Sequence, residues 1–394
     1  MNTALPRPLL LAFAIALTAA PLTFSPLAAA EGKVTAIKGV PYAVRGATSL
    51  LADVYMPKGD GPAPGVLVVH GGAWMTGNKA RMERVARRLA EHGYTAVAIN
   101  YRLAPQNPFP AQIEDCKAAV RWMRRNADKY KIDPERIGGY GYSAGGQLVA
   151  LLGTTDATCG LEGVDDETLS TPDVLQSGGA ARPVSEVIPR PGAVVEAEAA
   201  DGGAADVATR FGPQELEDED LMPRDPDESD SDESEAAPAD AATADAATAG
   251  ADNVVVKNVV ADNAVDRPAA NPCGTRLQCV VAGGAPCDFR MLPLQSPRLS
   301  YWLGGTRAAK TKLYEQASPA SFITADDPPM FFFHGAIDAV VPLESPRDMA
   351  RRMTAAGLEA TLHVVPNAGH IAAFLDDAAA TSAIKFLDAH LKAK

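Results

Sequence analysis

Gly141-Tyr142-Ser143-Ala144-Gly145-Gly146 decides how the rest of the chain is read. It follows the apolar run Arg136 to Tyr140 and opens a second one, Gln147 to Leu152. Gly-x-Ser-x-Gly between a predicted strand and a predicted helix is a nucleophile elbow, a turn so tight that the positions two before and two after the serine cannot carry bulk. Gly141 and Gly145 meet that demand. The Ser143 hydroxyl is then expected above the strand ends, with the Ala144 N–H aimed at the same space.

Working outward, the segments on either side repeat one rhythm. Upstream, Gly65 to His70 is an unbroken apolar run ending in His70-Gly71-Gly72-Ala73-Trp74, which predicts a strand buried on both faces. Lys79 to His92 has helical spacing and stops at Gly93; Tyr94 to Asn100 reads as a strand and Ala111 to Tyr130 as a helix. Strand and helix in alternation imply a mostly parallel sheet with right-handed crossovers. Before it, Lys33 to Val44 and Leu50 to Tyr55 alternate apolar and polar residues as an antiparallel hairpin would. Downstream, strands are expected at Leu277 to Val281, Met330 to Phe333 and Thr361 to Val365. Helices are expected at Arg347 to Ala356 and Ala378 to Lys392.

Two stretches break the rhythm. Residues 1–30 carry Arg7 as their only charge, an apolar core from Leu9 to Pro21, and Ala28-Ala29-Ala30 as a small-residue cleavage site. This is the pattern of a secretory signal peptide, too short for a comfortable membrane span, so the mature chain is expected to be exported, periplasmic or secreted, with no membrane partner. Residues 159–272 lose periodicity; Glu215 to Asp240 holds 13 acidic residues and one basic residue, Arg224. Such a segment buries too little apolar surface to offset ordering entropy and is expected to be a disordered acidic insertion, apart from one short strand at Val254 to Val260. The folded domain is thereby expected to be divided into 31–158 and 273–394. The overall net charge of -13 comes mostly from the insertion, so the folded part is nearly neutral and no nucleic-acid partner is indicated. The five cysteines show no paired metal-ligand spacing, so no metal site is expected. Cys116 and Cys279 are expected as buried thiols, and Cys159 and Cys273 are a candidate disulfide across the neck of the insertion.

A serine hydroxyl needs a base to take its proton and a carboxylate to orient that base. Asp338, in His334-Gly335-Ala336-Ile337-Asp338, and His370, in Asn367-Ala368-Gly369-His370, each follow a predicted strand end. The interval between them has room for one helix and one strand. Ser143 is therefore read as nucleophile, His370 as general base and then general acid, and Asp338 as orienting acid. Asp288, Asp326 and Asp327 compete for the acid role. Among the other histidines, His70 is expected to brace the glycine loop, His334 to make a structural hydrogen bond, and His92 and His390 to lie on the surface near helix ends. Gly72 and Ala73 N–H groups are expected to join Ala144 in an oxyanion hole, where losing one donor typically costs ~3 kcal/mol of transition-state stabilisation. Trp74, Tyr142 and Cys287 are placed beside strand ends, as candidate walls of the cleft.

Taken in series, the motifs around His70, Asn100-Tyr101-Arg102-Leu103-Ala104-Pro105, Ser143, Asp338 and His370 resemble α/β-hydrolase esterases. The resemblance is to the hormone-sensitive-lipase-like and acetyl-esterase group, including secreted carbohydrate and feruloyl esterases. It covers about residues 35–158 and 274–392, and it implies an α/β-hydrolase fold, hydrolysis of small carboxylic esters, no cofactor and the residue roles given above. Two departures stand out: Ala73 replaces the third glycine of the usual His-Gly-Gly-Gly, and the acidic insertion has no counterpart. A prolyl-oligopeptidase-type peptidase shares the elbow and the order of the triad, but usually behind a large gating domain absent here. A catalytically silent hydrolase fold used for binding is the other alternative.

Overall fold

The computed structural model describes residues 34–163 and 274–392. Eight strands form one sheet: β1 (Val34–Arg45), β2 (Thr48–Pro57), β3 (Ala63–Val69), β4 (Thr95–Ile99), β5 (Ile132–Tyr142), β6 (Val280–Gly283), β7 (Met330–Gly335) and β8 (Ala360–Val365). Their spatial order is β1-β2-β4-β3-β5-β6-β7-β8. β1 and β2 form the expected antiparallel hairpin, β2 pairs antiparallel to β4, and every pairing from β4 to β8 is parallel. Parallel strands need crossovers, and those crossovers bury both faces of the sheet.

Alternation along β3 shows how the faces are filled. Leu67 and Val69 point into one apolar cluster, shared with α2 (Ala111–Arg125), α3 (Ala144–Thr154) and α6 (Glu344–Ala355). Val66 and Val68 point into the other, shared with α1 (Glu83–Glu91) and α8 (Asp377–Leu387). All four side chains are fully buried. The chain steps from β3 to β4 on one side and then crosses back to β5 on the other. That reversal leaves a crevice at the carboxyl ends of β3 and β5, the place where open α/β sheets bind ligands.

Several elements differ from their sequence pattern for identifiable reasons. The helix expected from Ala111 to Tyr130 ends at Arg125, because the Asn126 side chain turns back to the Trp122 carbonyl at 3.0 Å. The closing helix runs to Leu387 and then widens into a π turn at Asp388–Lys392. There Asp388 accepts the Tyr94 hydroxyl at 2.6 Å and Leu391 is fully buried. The segment between β6 and β7 holds two short helices that no periodicity announced, α4 (Ser300–Leu303) and α5 (Thr311–Ala317). They are held by inserting Trp302 and Tyr314 into the core. A further one-and-a-half-turn helix, α7 (His370–Leu375), starts at His370 itself.

Cys116, Cys159, Cys279 and Cys287 are thiols, and Cys116 and Cys279 are buried as expected. Cys273, the strand expected at 254–260, the signal sequence and residues 164–272 of the expected insertion lie outside the described residues; its first residues, 159–163, are described, with Leu161 buried and Glu162 paired with Arg121 at 2.9 Å. Among the described residues no helix is long and apolar enough to cross a membrane. Nor does any group of three or more His, Cys, Asp or Glu side chains among them offer a metal site.

Candidate active site

The elbow is as tight as the glycine spacing demands. Ser143 sits at φ 55°, ψ -123°, between β5 and α3. A Cβ on Gly141 would lie 2.1 Å from the Gly145 carbonyl oxygen, and one on Gly145 would lie 2.2 Å from the Val69 carbonyl oxygen. No side chain fits at either place. A non-glycine residue in this backbone region is held there by its surroundings. The Ser143 N–H donates to the Gly283 carbonyl at 2.8 Å, and α3 begins at once, with the Gln147 N–H bonded to the Ser143 carbonyl at 2.9 Å.

Asp338 and His370 meet at the far side of the same crevice. Asp338 leaves the end of β7 with its side chain fully buried, and its Oδ1 accepts the N–H groups of Val340 and Val341, both at 2.9 Å. Its Oδ2 lies 2.6 Å from His370 Nδ1. A carboxylate only accepts, so Nδ1 carries the proton and Nε2 is left with a lone pair. Burial alone would raise the Asp338 carboxyl, but the His370 bond, the Val341 N–H and the two imidazoles bring it below the ordinary carboxylate value. The second imidazole is His334, whose Nε2 donates to the Val341 carbonyl at 2.7 Å and lies 3.2 Å from Asp338 Oδ2. Sequence reading assigned His334 a structural hydrogen bond but missed that it shares Asp338. The four-residue interval from His334 to Asp338 was the available signal.

Gly283 and Gly284 join the two sides. The Gly283 carbonyl holds the Ser143 N–H, and a Cβ on Gly284 would touch His370 Cε1 at 3.0 Å. Tyr142, the residue before the serine, has its ring centroid 5.2 Å from that of His370, and its hydroxyl donates to the His370 carbonyl. These contacts bring the imidazole to the elbow.

The loop after β3 closes the third side. Gly71 lies against the elbow, where a Cβ would meet Ser143 Cβ at 3.1 Å. Gly72 has φ 120°, and Ala73 and Trp74 follow at 50° and 62°. The Gly72 carbonyl accepts the N–H groups of Met75 and Thr76, at 3.0 and 2.9 Å. Among the described residues no hydrogen bond uses the N–H of Gly72, Ala73 or Ala144. His70 braces this loop as expected: its Nδ1 donates to the Gly71 carbonyl at 2.7 Å and its ring stacks on Tyr101 at 4.2 Å. Burial holds the His70 imidazole down to about 4, so it is neutral.

Of the rival acids, Asp288 is paired with Arg290, while Asp326 and Asp327 cap the Thr324 turn. His92 and His390 bond to the Arg88 carbonyl and to Glu359. The expected cleft walls need correction. Trp74 and Cys287 are buried, at 3% and 0% exposure, with Trp74 stacked on Trp302 at 3.8 Å. Tyr142 supports His370 from below. The apolar side chains exposed near the Asp338–His370 pair are Ile337, Val340, Ile371 and Leu375.

A mostly parallel eight-stranded sheet with helices on both faces, and Ser143, Asp338 and His370 on the loops that follow β5, β7 and β8, defines an α/β-hydrolase fold. The BD-FAE family model matches residues 52–175 and 247–353, and the chain belongs to that family. Esterase LipC of Mycobacterium tuberculosis is 44% identical over 95 residues, which are 24% of each chain. The arylesterase of Saccharolobus solfataricus is 41% identical over 86 residues, 22% of this chain and 28% of that one. The match thus spans about a quarter of the length of these relatives. Among solved structures, a truncated carbohydrate esterase from gut microbiota superposes with a TM-score of 0.61 at 21% identity, covering 92% of this chain and 99% of that one. Est2, an esterase of the planctomycete Thermogutta terrifontis, does so with 0.52 at 19% identity, covering 90% of each.

Proposed function

We propose that this chain is an exported serine carboxylesterase that hydrolyses small or short-chain carboxylic esters through an acyl-enzyme. The observation that carries the reading is the 2.6 Å contact between Asp338 and His370 Nδ1, on an imidazole packed against the residue preceding Ser143. His370 Nε2 takes the hydroxyl proton as Ser143 Oγ attacks the ester carbonyl. The tetrahedral oxyanion accepts the N–H groups of Gly72, Ala73 and Ala144. Collapse breaks the C–O bond, and His370 returns its proton to the departing alcohol. Water, deprotonated by His370, then releases the acid and restores Ser143. Ile337 and Ile371, 67% and 54% exposed, offer apolar surface for the organic groups of a small ester. Membership of the BD-FAE family and the esterases named above support the reaction class. Export is proposed from residues 1–30.

Purified Ser143→Ala is expected to lose p-nitrophenyl acetate hydrolysis by at least ~10⁴-fold with unchanged thermal unfolding. Full retained activity refutes the assignment. A panel of acetyl, butyryl, octanoyl and feruloyl esters, with a peptide amide alongside, tests the chain-length claim and the peptidase alternative. Faster cleavage of the amide would overturn the esterase reading.

A further inference from the structure

The loop that presents the Gly72 and Ala73 N–H groups cannot hold its shape unaided. Ala73 and Trp74 are both non-glycine residues in left-handed backbone, a conformation that persists only where neighbours over-determine it. Ala104 N–H caps the Trp74 carbonyl at 3.0 Å, and the Tyr301 hydroxyl donates to the Ala73 carbonyl at 3.1 Å. The Trp74 side chain is buried, and its indole Nε1 donates to Gln147 Oε1 at 2.9 Å. Gln147 Nε2 in turn donates to the Ala317 carbonyl at 2.7 Å. Gln147 is fully buried, one helical turn beyond Ser143, and its own N–H is bonded to the Ser143 carbonyl.

We propose that Gln147 is a positioning residue for the oxyanion site: its amide ties Trp74 to α3 and so sets the spacing between the loop N–H groups and that of Ala144. The chemistry selects this residue type. An indole N–H only donates and a carbonyl only accepts, so the bridge needs an acceptor at one end and a donor at the other. A side-chain amide supplies both, and burial leaves no water to replace either. The Trp74 ring is otherwise fixed by aromatic contact, stacked on Trp302 and T-shaped to Phe289, so among its side-chain contacts the polar bridge is the one that reaches the nucleophile helix.

The inference rests on the esterase reading, and it predicts an effect on the transition state more than on the ground state. Gln147→Met keeps the volume and removes both polar ends, and Trp74→Phe removes the indole donor. Each is expected to lower kcat about 10-fold while KM stays within about twofold, and to weaken inhibition by a trifluoromethyl ketone by the same factor as kcat. The double variant is expected to be no slower than the slower single variant, because both cut one bridge. Circular dichroism and thermal unfolding identify variants that fold; if Gln147→Met does not, Trp74→Phe and the ketone measurement decide. Folded variants with wild-type kcat and ketone affinity, a loss confined to KM, or additive losses would overturn the role of Gln147 alone. A wild-type chain that hydrolyses no ester would overturn this inference together with the esterase reading.

Discussion

The loop leaving β3 and the loop leaving β8 each carry an imidazole at the carboxyl ends of the parallel strands, and the two rings are held in opposite ways. His70 donates to a backbone carbonyl, stacks on Tyr101 and is buried neutral. His370 donates to a carboxylate that is itself fixed by two backbone N–H groups, with its second nitrogen free to accept. A carbonyl partner gives a ring nothing to balance a positive charge, whereas a carboxylate does. The same side chain therefore becomes a brace in one loop and a candidate base in the other.

The strongest way to break this contrast is to exchange the two losses. His370→Gln is expected to cut ester turnover by at least ~10⁴-fold with little change in unfolding temperature. His70→Gln should instead leave measurable turnover and cost about 1–3 kcal/mol of stability, read by urea unfolding. Equal activity losses in the two variants would erase the distinction.

Asp338→Asn sharpens it further. Val340 and Val341 N–H groups already claim Oδ1, so an asparagine must turn its NH₂ toward His370. Two donors then face each other, and the imidazole must move its proton from Nδ1 to Nε2, where it cannot accept from serine. A loss of about 10⁴-fold in kcat at neutral pH is expected. A loss under tenfold would show that the carboxylate is not the orienting group.

The smallest predicted effects are linked to pH. His70 titrates at about 4 in the folded chain against an ordinary 6.5, so the unfolded chain takes up a proton that the native state refuses. Its contribution to stability is complete above pH 6.5 and is lost as pH falls toward 4. Asp338 lies below its ordinary 3.8, so its contribution is complete above that value and is lost at lower pH. Urea midpoints measured across this range should therefore lose part of their slope between pH 6.5 and 4 in His70→Gln. An unaltered slope there would mean that burial does not hold the His70 ring neutral.

Much of the architecture was readable because its signals are local. Apolar runs bounded by glycines marked β3 and β5, and Gly141 and Gly145 marked the elbow. The three candidate catalytic side chains came from strand ends in the expected order. What escaped was set by distant partners. Trp302 anchors α4 by stacking on Trp74, more than two hundred positions earlier, and no periodic pattern of four residues could announce that. Trp74 follows a strand end, the position of a cleft wall, yet the structure turns it inward onto Gln147.

The amino-acid sequence by itself determined the sheet's alternation, the elbow and the candidates for a nucleophile, a base and an acid, because each depends on residue type and short-range spacing. Tertiary structure alone decided that Asp338 bonds one imidazole and lies beside a second, that His70 is neutral and that a buried amide ties Trp74 to the serine helix. Those facts depend on which groups are desolvated together and on where donors and acceptors meet. Only the folded chain sets that geometry.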